Sequence, residues 1–229
     1  KEYGILPLLF GTLVVTFMAA LVAVPIGTLT AVYLSEYADK RTHSILKPLL
    51  EILAGVPTVV YGFFALAYVT PALRILFPSI SPFNALSASL MVGIMIIPMV
   101  SSISEDAMSA VPDSLRQAGF GLGATKFDVS TSIVIPAALS GIVASYILAI
   151  SRAIGETMIV LMATGNTPVM EWSIFNGFRA LSANIAVELP EAPEGGTLFR
   201  ILFLAAFSLR KYKLIIVAKT ILTSRILET

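Results

Sequence analysis

QAGFGLGATKFDVSTSIVIP, residues 117 to 136, forms a short polar island between long apolar segments. Its first half holds three glycines, Gly119, Gly121 and Gly123. Because glycine lets another backbone or side chain approach closely, the stretch predicts a docking place for another molecule. A loop that only connects two apolar segments is the alternative, and these residues alone leave both open. The glycine spacing is not a dinucleotide motif, since no predicted strand precedes it.

The residues around this island predict a short helix. Pro112-Asp113 suits a helix start, because proline fits the first turn and aspartate complements the positive end of the helix dipole. Leu115, Ala118 and Leu122 then fall on one helical face. Thr125 is suited to cap the helix that follows.

The composition indicates a protein that is surrounded by lipid. Apolar residues make up 57% of the 229 residues, only 13% are charged, and the mean hydropathy is +0.90. Soluble globular domains carry about 25% charged residues. The net charge of +1 gives no reason to expect a nucleic-acid partner.

The sequence offers little for enzyme chemistry. It has no cysteine, and His43 is its single histidine, so no cysteine-based site and no metal site are expected. No G-x-S-x-G pattern supports an intramembrane hydrolase. No G-x-x-x-x-G-K-[ST] pattern supports ATP binding by the chain itself. His43 is predicted to be a surface histidine, because the sequence offers no partner ligands for it.

The apolar segments predict an all-α membrane protein, because a bilayer core takes about 20 apolar residues per helix. About five transmembrane helices are expected, and Pro57 interrupts the second. At Pro57 a packing kink and a pore-lining bend are both open. The spans cover about residues 8–34, 49–69, 85–102 and 133–163, and the fifth begins near residue 198.

Ten of the 15 Lys and Arg residues lie in the loops after the first and third spans and in the C-terminal tail. Loops rich in Lys and Arg face the cytoplasm, so these segments are predicted to be cytoplasmic. The expected layout is one transmembrane domain over residues 1–229, with a cytoplasmic loop at 103–132, an external loop at 166–197 and an atypical tail at 208–229. The N-terminus is then predicted to lie outside the cell, and an earlier helix is therefore expected before residue 1.

Arg152 and Glu156 are ionisable residues within the fourth span. Residues four apart on one helix share a face and can pair. Because an Arg within a span costs about 2.5–3.5 kcal/mol on insertion scales, such residues usually face a bundle interior or a wet path, and an Arg there suits an anion. Gly155 would admit a neighbouring helix. A neutralised pair that only locks helices together is the alternative.

Other charged and aromatic residues are expected to have ordinary roles. Glu36 and the turn Asp39–Arg41 are predicted to be solvated, with a contact to a partner as the alternative. Glu105 and Asp106 are predicted to end the third span as an interfacial cap. Aromatic side chains of the external loop are expected to anchor at the membrane surface, with contact to another protein as the alternative; they are Trp172, Phe175 and Phe178.

The spacing of the opening stretch resembles the cytoplasmic EAA loop of ABC-importer permeases, E-A-A, three residues, G, nine residues and I-x-L-P. Gln117-Ala118-Gly119 stands at the EAA position, Gly123 at the glycine and Ile133–Pro136 at I-x-L-P. Gln replaces the Glu, and Ile replaces the Leu. In that family the loop forms a coupling helix that docks in a groove on a separate ATPase subunit. The resemblance implies a contact within Leu115–Lys126, made by Leu115, Gln117, Ala118, Gly119, Leu122 and Gly123.

Four further segments are similar to the permeases of the phosphate-specific ABC importer, the PstC type before the PstA type. They are Tyr3–Pro7, Gly11–Leu13, Ala54–Gly62 and Arg152–Met158. The resemblance runs from about Tyr3 to Phe207. It implies a subunit that forms half of the pathway for inorganic phosphate through the bacterial plasma membrane.

The resemblance also implies partners. A second permease subunit would complete the pore, an ATPase dimer would dock on the cytoplasmic loop, and an external phosphate-binding protein would supply the substrate. The chain itself is expected to bind no cofactor, because the ATPase uses the ATP. Arg152 would be a stepping stone for the anion, and Glu156 would hold Arg152 in place. A permease for sulfate or molybdate, and a membrane anchor or sensor, remain as alternatives.

The fifth span departs from that family. Residues 198–209 give 12 mostly apolar residues, about 18 Å of helix against a hydrocarbon core of about 30 Å. Arg210, Lys211 and Lys213 follow at once. A shifted reading frame after about Phe207 and a genuine, poorly inserted tail are both open.

Overall fold

The computed structural model describes residues 5–166 and 173–227, apart from the side chains at positions 212, 216 and 219–227. Every regular element in this part of the chain is a helix, which confirms the predicted all-α class. Tyr3, Gly4 and Trp172, which entered the predictions above, lie outside the described residues. The helices are α1 Leu6–Tyr37, α2 Lys40–Gly55, α3 Thr58–Leu76, α4 Ala85–Ser109, α5 Asp113–Gly121, α6 Lys126–Ala137, α7 Leu139–Ile154, α8 Met158–Ala163, α9 Leu181–Glu188 and α10 Thr197–Leu227.

Three helices are long and apolar enough to cross a membrane, namely α1, α3 and α4. A fourth span results if α6 and α7, which are bent by 69° at their junction, are counted together. These helices overlap the first four predicted spans, but the second runs over Thr58–Leu76 and not over residues 49–69, because the chain leaves α2 before Pro57. The fifth predicted span lies in α10, a helix of 31 residues, which is not among the candidate spans found in the described residues. Arg210, Lys211 and Lys213 interrupt its apolar run.

The chain divides into two compact units, each assembled from separate segments. The first consists of Lys1–Val22, Val56–Met95 and Ile150–Ile215. Glycines make its close helix contacts: a β-carbon at Gly62 of α3 would lie 2.8 Å from the Met162 sulfur of α8. Transmembrane helices pack through such small residues because lipid gives them no hydrophobic drive to associate.

The second unit consists of Ala23–Gly55, Ile96–Ala149 and Ile216–Thr229. Gly27 of α1 packs here against Val100 of α4, where a β-carbon would lie 2.7 Å from the valine β-carbon. Its apolar core is built from α1, α4, α6, α7 and the residues that join them. The buried members are Ala31, Met108, Val111, Val129, Val134, Ala138 and Ile142.

The fourth predicted span is wrong as a single helix, because it is divided into α6, α7 and α8. The first division lies at Ala138, two residues after Pro136. Proline has no backbone N–H to donate, so it weakens the helix at that point. The second division lies at Gly155–Thr157. It is this second break that places the ionisable residues described next.

Candidate coupling surface and substrate-pathway site

Helix α5 begins at Asp113, directly after Pro112, as the sequence predicts. It ends in a Schellman motif, in which the Ala124 N–H donates to the Gly119 carbonyl at 3.1 Å and the Gly123 N–H donates to the Phe120 carbonyl at 3.0 Å. Gly123 has a φ of +83°, a conformation that glycine adopts without strain. The chain therefore reverses sharply at the end of α5.

The next helix, α6, is capped by Thr125, which confirms the predicted cap. The Asp128 N–H donates to Thr125 Oγ1 at 3.2 Å, and the Thr125 N–H donates to Asp128 Oδ2 at 3.0 Å. This reciprocal pair is a capping box. Hydrogen bonds thus fix the end of α5, the chain reversal and the start of α6.

The outer face of this segment is apolar and open. Leu122 is 90% exposed and Phe127 is 67% exposed, and Leu115 and Phe120 are also exposed. Exposed apolar patches of this kind mark interaction sites. We call Leu115, Phe120, Leu122 and Phe127 the coupling patch.

Gly119 differs from the other residues predicted to contact an ATPase, because it is buried. A β-carbon there would lie 2.6 Å from Ile133 Cδ1 and 3.0 Å from Val129 Cγ2 of α6. Gly119 therefore lets α5 pack on α6 and does not belong to the outer face. The exposed members of the predicted set are Leu115, Gln117, Ala118, Leu122 and Gly123.

Arg116 ties α5 to the ends of α1 and α4. Its Nη2 lies 3.0 Å from the Glu36 carboxylate and donates to the Met108 carbonyl at 2.8 Å. Its Nη1 donates to the Val111 carbonyl and lies 3.3 Å from Asp113. The Glu36 side chain is only 7% exposed, so the prediction of a solvated Glu36 is wrong.

A second polar cluster joins α2 to α4. Lys47 Nζ lies 2.6 Å from Glu105 and 2.8 Å from Asp106, and His43 Nε2 lies 3.3 Å from Glu105. Hydrogen bonds to Asp106 and Glu105 raise the pKa of the Lys47 ammonium. The prediction of a simple interfacial cap at Glu105 is therefore wrong, whereas His43, with 36% of its side chain exposed, is a surface histidine as predicted. These partners lie about 60 residues apart in sequence, beyond the reach of any helical spacing.

The helix that carries Arg152 ends at Ile154, before Glu156 is reached. The Gly155 and Glu156 N–H groups each donate three residues back, to the Arg152 and Ala153 carbonyls, at 3.1 Å. Arg152 and Glu156 therefore do not share a helix face. The described residues hold no ion pair between them within 4 Å, so the predicted pairing is wrong.

Glu156 instead caps α8. Its Oε1 accepts from the Met158 N–H at 3.1 Å and from the Ile159 N–H at 3.2 Å. The residue is 7% exposed, and Ser182 Oγ of α9 donates to its carbonyl at 2.6 Å. An acidic side chain at the start of a helix is stabilised by the free N–H groups there. Gly-Glu-Thr before an apolar run is a helix-start signal, which could have revealed this role from the sequence.

The break also gathers other groups. Arg152 is exposed, and its charge acts on Tyr61 of α3. The amine of Lys213, from α10, lies against Gly155: a β-carbon there would overlap Lys213 Nζ and lie 2.8 Å from Cε. The sequence reasoning missed Lys213, because it placed the residue in a tail outside the spans.

Two of the predicted surface aromatics lie in the first unit with defined contacts. Phe178 is 1% exposed and meets the Phe10 ring edge to face at 5.8 Å, so its prediction as a membrane-surface anchor is wrong. Phe175 packs against Phe77 at 5.4 Å. Arg179, which follows Phe178, forms an ion pair at 3.1 Å with Glu188 at the end of α9. Trp172 lies outside the described residues.

Pro57 lies where the chain leaves α2 and enters α3, with Thr58 as the first residue of the new helix. Gly62, one turn later, packs against Met158 and Met162 of α8. The Pro57 segment and the Arg152–Glu156 segment, far apart in sequence, are thus brought together by the contact of α3 with α8.

Comparison with known proteins gives one family and several relatives. The family described as "Binding-protein-dependent transport system inner membrane component" matches residues 23–210. The chain is 34% identical over 194 residues to the probable ABC transporter permease protein YqgH of Bacillus subtilis, covering 85% of this chain and 63% of the relative. It is 32% identical over 211 residues to the phosphate transport system permease protein PstC of Mesorhizobium japonicum, covering 84% and 64%.

A third relative is the phosphate transport system permease protein PstA 1 of Mycobacterium tuberculosis, at 34% identity over 196 residues. The match covers 85% of this chain and 62% of that protein. The chain therefore spans just under two thirds of the length of these curated relatives.

Solved structures share the fold at low sequence identity. The inward-facing MetNI methionine ABC transporter superposes with a TM-score of 0.69 at 17% identity, covering 98% of this chain and 94% of that chain. A bacterial alginate ABC transporter, solved in complex with a periplasmic protein that holds an alginate pentasaccharide, superposes with a TM-score of 0.73 at 15% identity, covering 100% and 81%.

Proposed function

The chain belongs to the family of binding-protein-dependent transport system inner membrane components, and from this membership we propose that it is a permease subunit of an ABC importer for inorganic phosphate. It forms half of the pathway through the inner membrane, and a second permease subunit forms the other half. Two relatives named as phosphate transport permeases support this substrate. The observation that carries the proposal is the helix break between α7 and α8, which presents an exposed arginine.

The arginine at the break suits phosphate on chemical grounds. A guanidinium is always charged and offers a planar fork of donors that matches the oxygens of an oxyanion. Arg152 has no ion pair within 4 Å in the part of the chain described, so it is free to take one from a passing anion. Glu156 serves the site differently from the predicted pairing: it holds the start of α8 in place beside Arg152.

The coupling patch is the docking surface for the ATPase. Leu122 and Phe127 expose most of their apolar surface, and association that removes this surface from water is favoured by the hydrophobic effect. ATP is bound and hydrolysed by an ATPase dimer on the cytoplasmic side, so this chain needs no cofactor and catalyses no reaction. An external phosphate-binding protein delivers the anion. The coupling segment continues along the chain through α6 and α7 to Arg152.

The proposal is tested by expressing the complete importer in cells that lack their own phosphate permease. The measured quantity is the uptake of phosphate by these cells. Arg152→Gln removes the charge and is expected to lower the maximal uptake rate about tenfold or more, since bonds to charged groups contribute about 1.5–3 kcal/mol. Arg74→Gln is the matched control, because Arg74 is exposed at the end of α3, and it should leave uptake unchanged. Sulfate and molybdate uptake are measured in parallel. Phosphate uptake that survives Arg152→Gln, or uptake of another oxyanion in its place, contradicts the proposal.

A further inference from the structure

The buried face of α10 leads to the helix break. Leu202 and Ala205 are buried, and Leu209 is partly buried in the same cluster with Leu8 and Leu181. Lys213 follows Leu209 by four residues, which is one turn along the same face. The packing that buries the apolar part of α10 therefore places the Lys213 side chain against Gly155.

Gly155 leaves the space that the lysine fills. Its missing β-carbon would overlap Lys213 Nζ and lie 2.8 Å from Lys213 Cε. Alanine at position 155 would therefore push the amine out of this place. Arg152 and Glu156, on either side of Gly155, are the two groups whose charges act on the amine.

The Lys213 amine has no settled partner in the part of the chain described. No ion pair within 4 Å involves it there, and Oε1 of Glu156, the carboxylate whose charge acts on the amine, already accepts the Met158 and Ile159 N–H groups. Arg152 adds a second positive charge. A partly buried cation is costly unless it is paired, and the two cations near Gly155 exceed the one carboxylate in charge, so the site favours an incoming anion.

We propose that Lys213 is a second cation of the anion pathway and contacts the transported oxyanion together with Arg152. The inference rests on the proposed function and adds a residue that lies 61 positions further along the chain. The two groups are complementary. Arg152 offers a flat fork of donors, and Lys213 offers a compact charge with three rotatable donors. An oxyanion between them accepts from both and is neutralised on two sides.

The test measures phosphate transport by the complete importer in proteoliposomes with its binding protein. Lys213→Met keeps the length of the side chain and removes the charge, and it is expected to lower the maximal rate about tenfold. Lys213→Arg should keep most of the rate. Lys211→Met, an exposed lysine two positions earlier on α10, is the matched control and should stay within about twofold of the unaltered protein, as is usual for surface substitutions.

Chemical rescue separates the charge from the shape. These 229 residues contain no cysteine, so Lys213→Cys introduces a single thiol into them. With 2-bromoethylamine the thiolate displaces bromide and forms a C–S bond, which rebuilds a side chain of lysine length with a terminal ammonium. Transport should return after this treatment and not after iodoacetamide, which adds a neutral group. The unaltered importer receives both treatments as the control for other cysteines.

Four outcomes decide the matter. A loss of phosphate transport with Lys213→Met and a return of transport when the ammonium is rebuilt on Lys213→Cys support the proposal. Equal rates for Lys213→Met and the unaltered importer, with Arg152→Gln still defective, overturn it while the proposed function stands. Rates that remain low after the ammonium is rebuilt overturn it as well, because the residue then acts by packing. If neither Lys213→Met nor Arg152→Gln slows phosphate transport, both proposals fail.

Discussion

Arg116 and Glu36 form a buried ion pair whose members lie 80 residues apart in sequence. The two side chains are 15% and 7% exposed, and the guanidinium is also bonded to the Met108 and Val111 carbonyls. Burying two charges gives little net stability, but removing one partner leaves the other charge without compensation. This pair therefore fixes where α5 lies more than it adds to overall stability.

Arg116→Met is expected to destabilise the protein by about 3 kcal/mol, because the Glu36 carboxylate would stay buried and unpaired. The measurement is the free energy of unfolding in detergent, followed with denaturant. The double variant Arg116→Met with Glu36→Gln should recover part of the loss, since it removes the orphaned charge. A double variant no more stable than the single one would contradict the buried-charge explanation. Arg41→Met, at an exposed position near the start of α2, serves as the control.

Single residues were the hardest part to predict from the sequence. The expectation of a solvated Glu36 was wrong, and the contact of His43 with Glu105 was not predicted, because Arg116 and Glu105 come from distant helices. A spacing rule reaches only three or four residues along one helix. Which buried charges meet depends on how the helices pack, and that packing is not encoded in any local pattern.

Helix α5 and its surroundings behave as a small rigid element with one open face. Its Schellman end at Gly123 and the capping box at Thr125 use the chain's own hydrogen bonds. Leu122, which lies between them, is almost entirely exposed. The position of Leu122 is thus fixed by the backbone, and its side chain makes little contribution to folding.

Leu122→Glu is expected to leave the folded permease intact and to weaken its binding to the ATPase at least about tenfold, because one large buried side chain contributes about 1.5–3 kcal/mol. Co-purification and titration of the ATPase subunit in detergent measure this. Ser114→Glu adds the same charge to the exposed first turn of α5, where a negative charge suits the helix dipole. Equal weakening by both variants would show that charge alone acts, and the coupling patch would lose its role.

Elements were partly predictable. The start of α5 after Pro112 and the cap at Thr125 followed from short signals that depend on neighbouring residues only. The division of residues 133–163 into three helices did not, because apolar composition is almost uniform there and hydropathy is insensitive to a break of three residues. The predicted ion pair between Arg152 and Glu156 was wrong for the same reason, because that prediction required an unbroken helix.

At the scale of the whole molecule, each compact unit is held together by glycines at helix crossings. Gly62 and Gly93 serve the first unit, and Gly27 and Gly141 serve the second. Large apolar side chains such as Leu13 and Phe17 are left on the outside, as expected for helices that face lipid. The membrane class and the approximate positions of the apolar segments were therefore predictable from composition, whereas the partners of each helix were not.

Gly62→Val is expected to destabilise the first unit by about 1–3 kcal/mol, the usual range for overpacking, because the added atoms meet Met162 and the Met158 carbonyl. Phosphate uptake should fall with it, since α3 and α8 would separate beside Arg152. Thermal unfolding in detergent gives the stability. Gly55→Val is the matched control, as a β-carbon at Gly55 meets nothing within 4 Å. Similar losses for both variants would point to a general cost of replacing glycine.

The bonds at the two ends of α5 have a mechanical consequence. Arg116 fastens its first turn to the ends of α1 and α4, and Gly119 seats its last turn on α6. Because both ends of α5 are attached to neighbouring helices, this short helix bends little. A force applied to Leu122 is therefore expected to move α5 as one body. A displacement of α5 is therefore expected to carry the ends of α1 and α4 and the start of α6 with it.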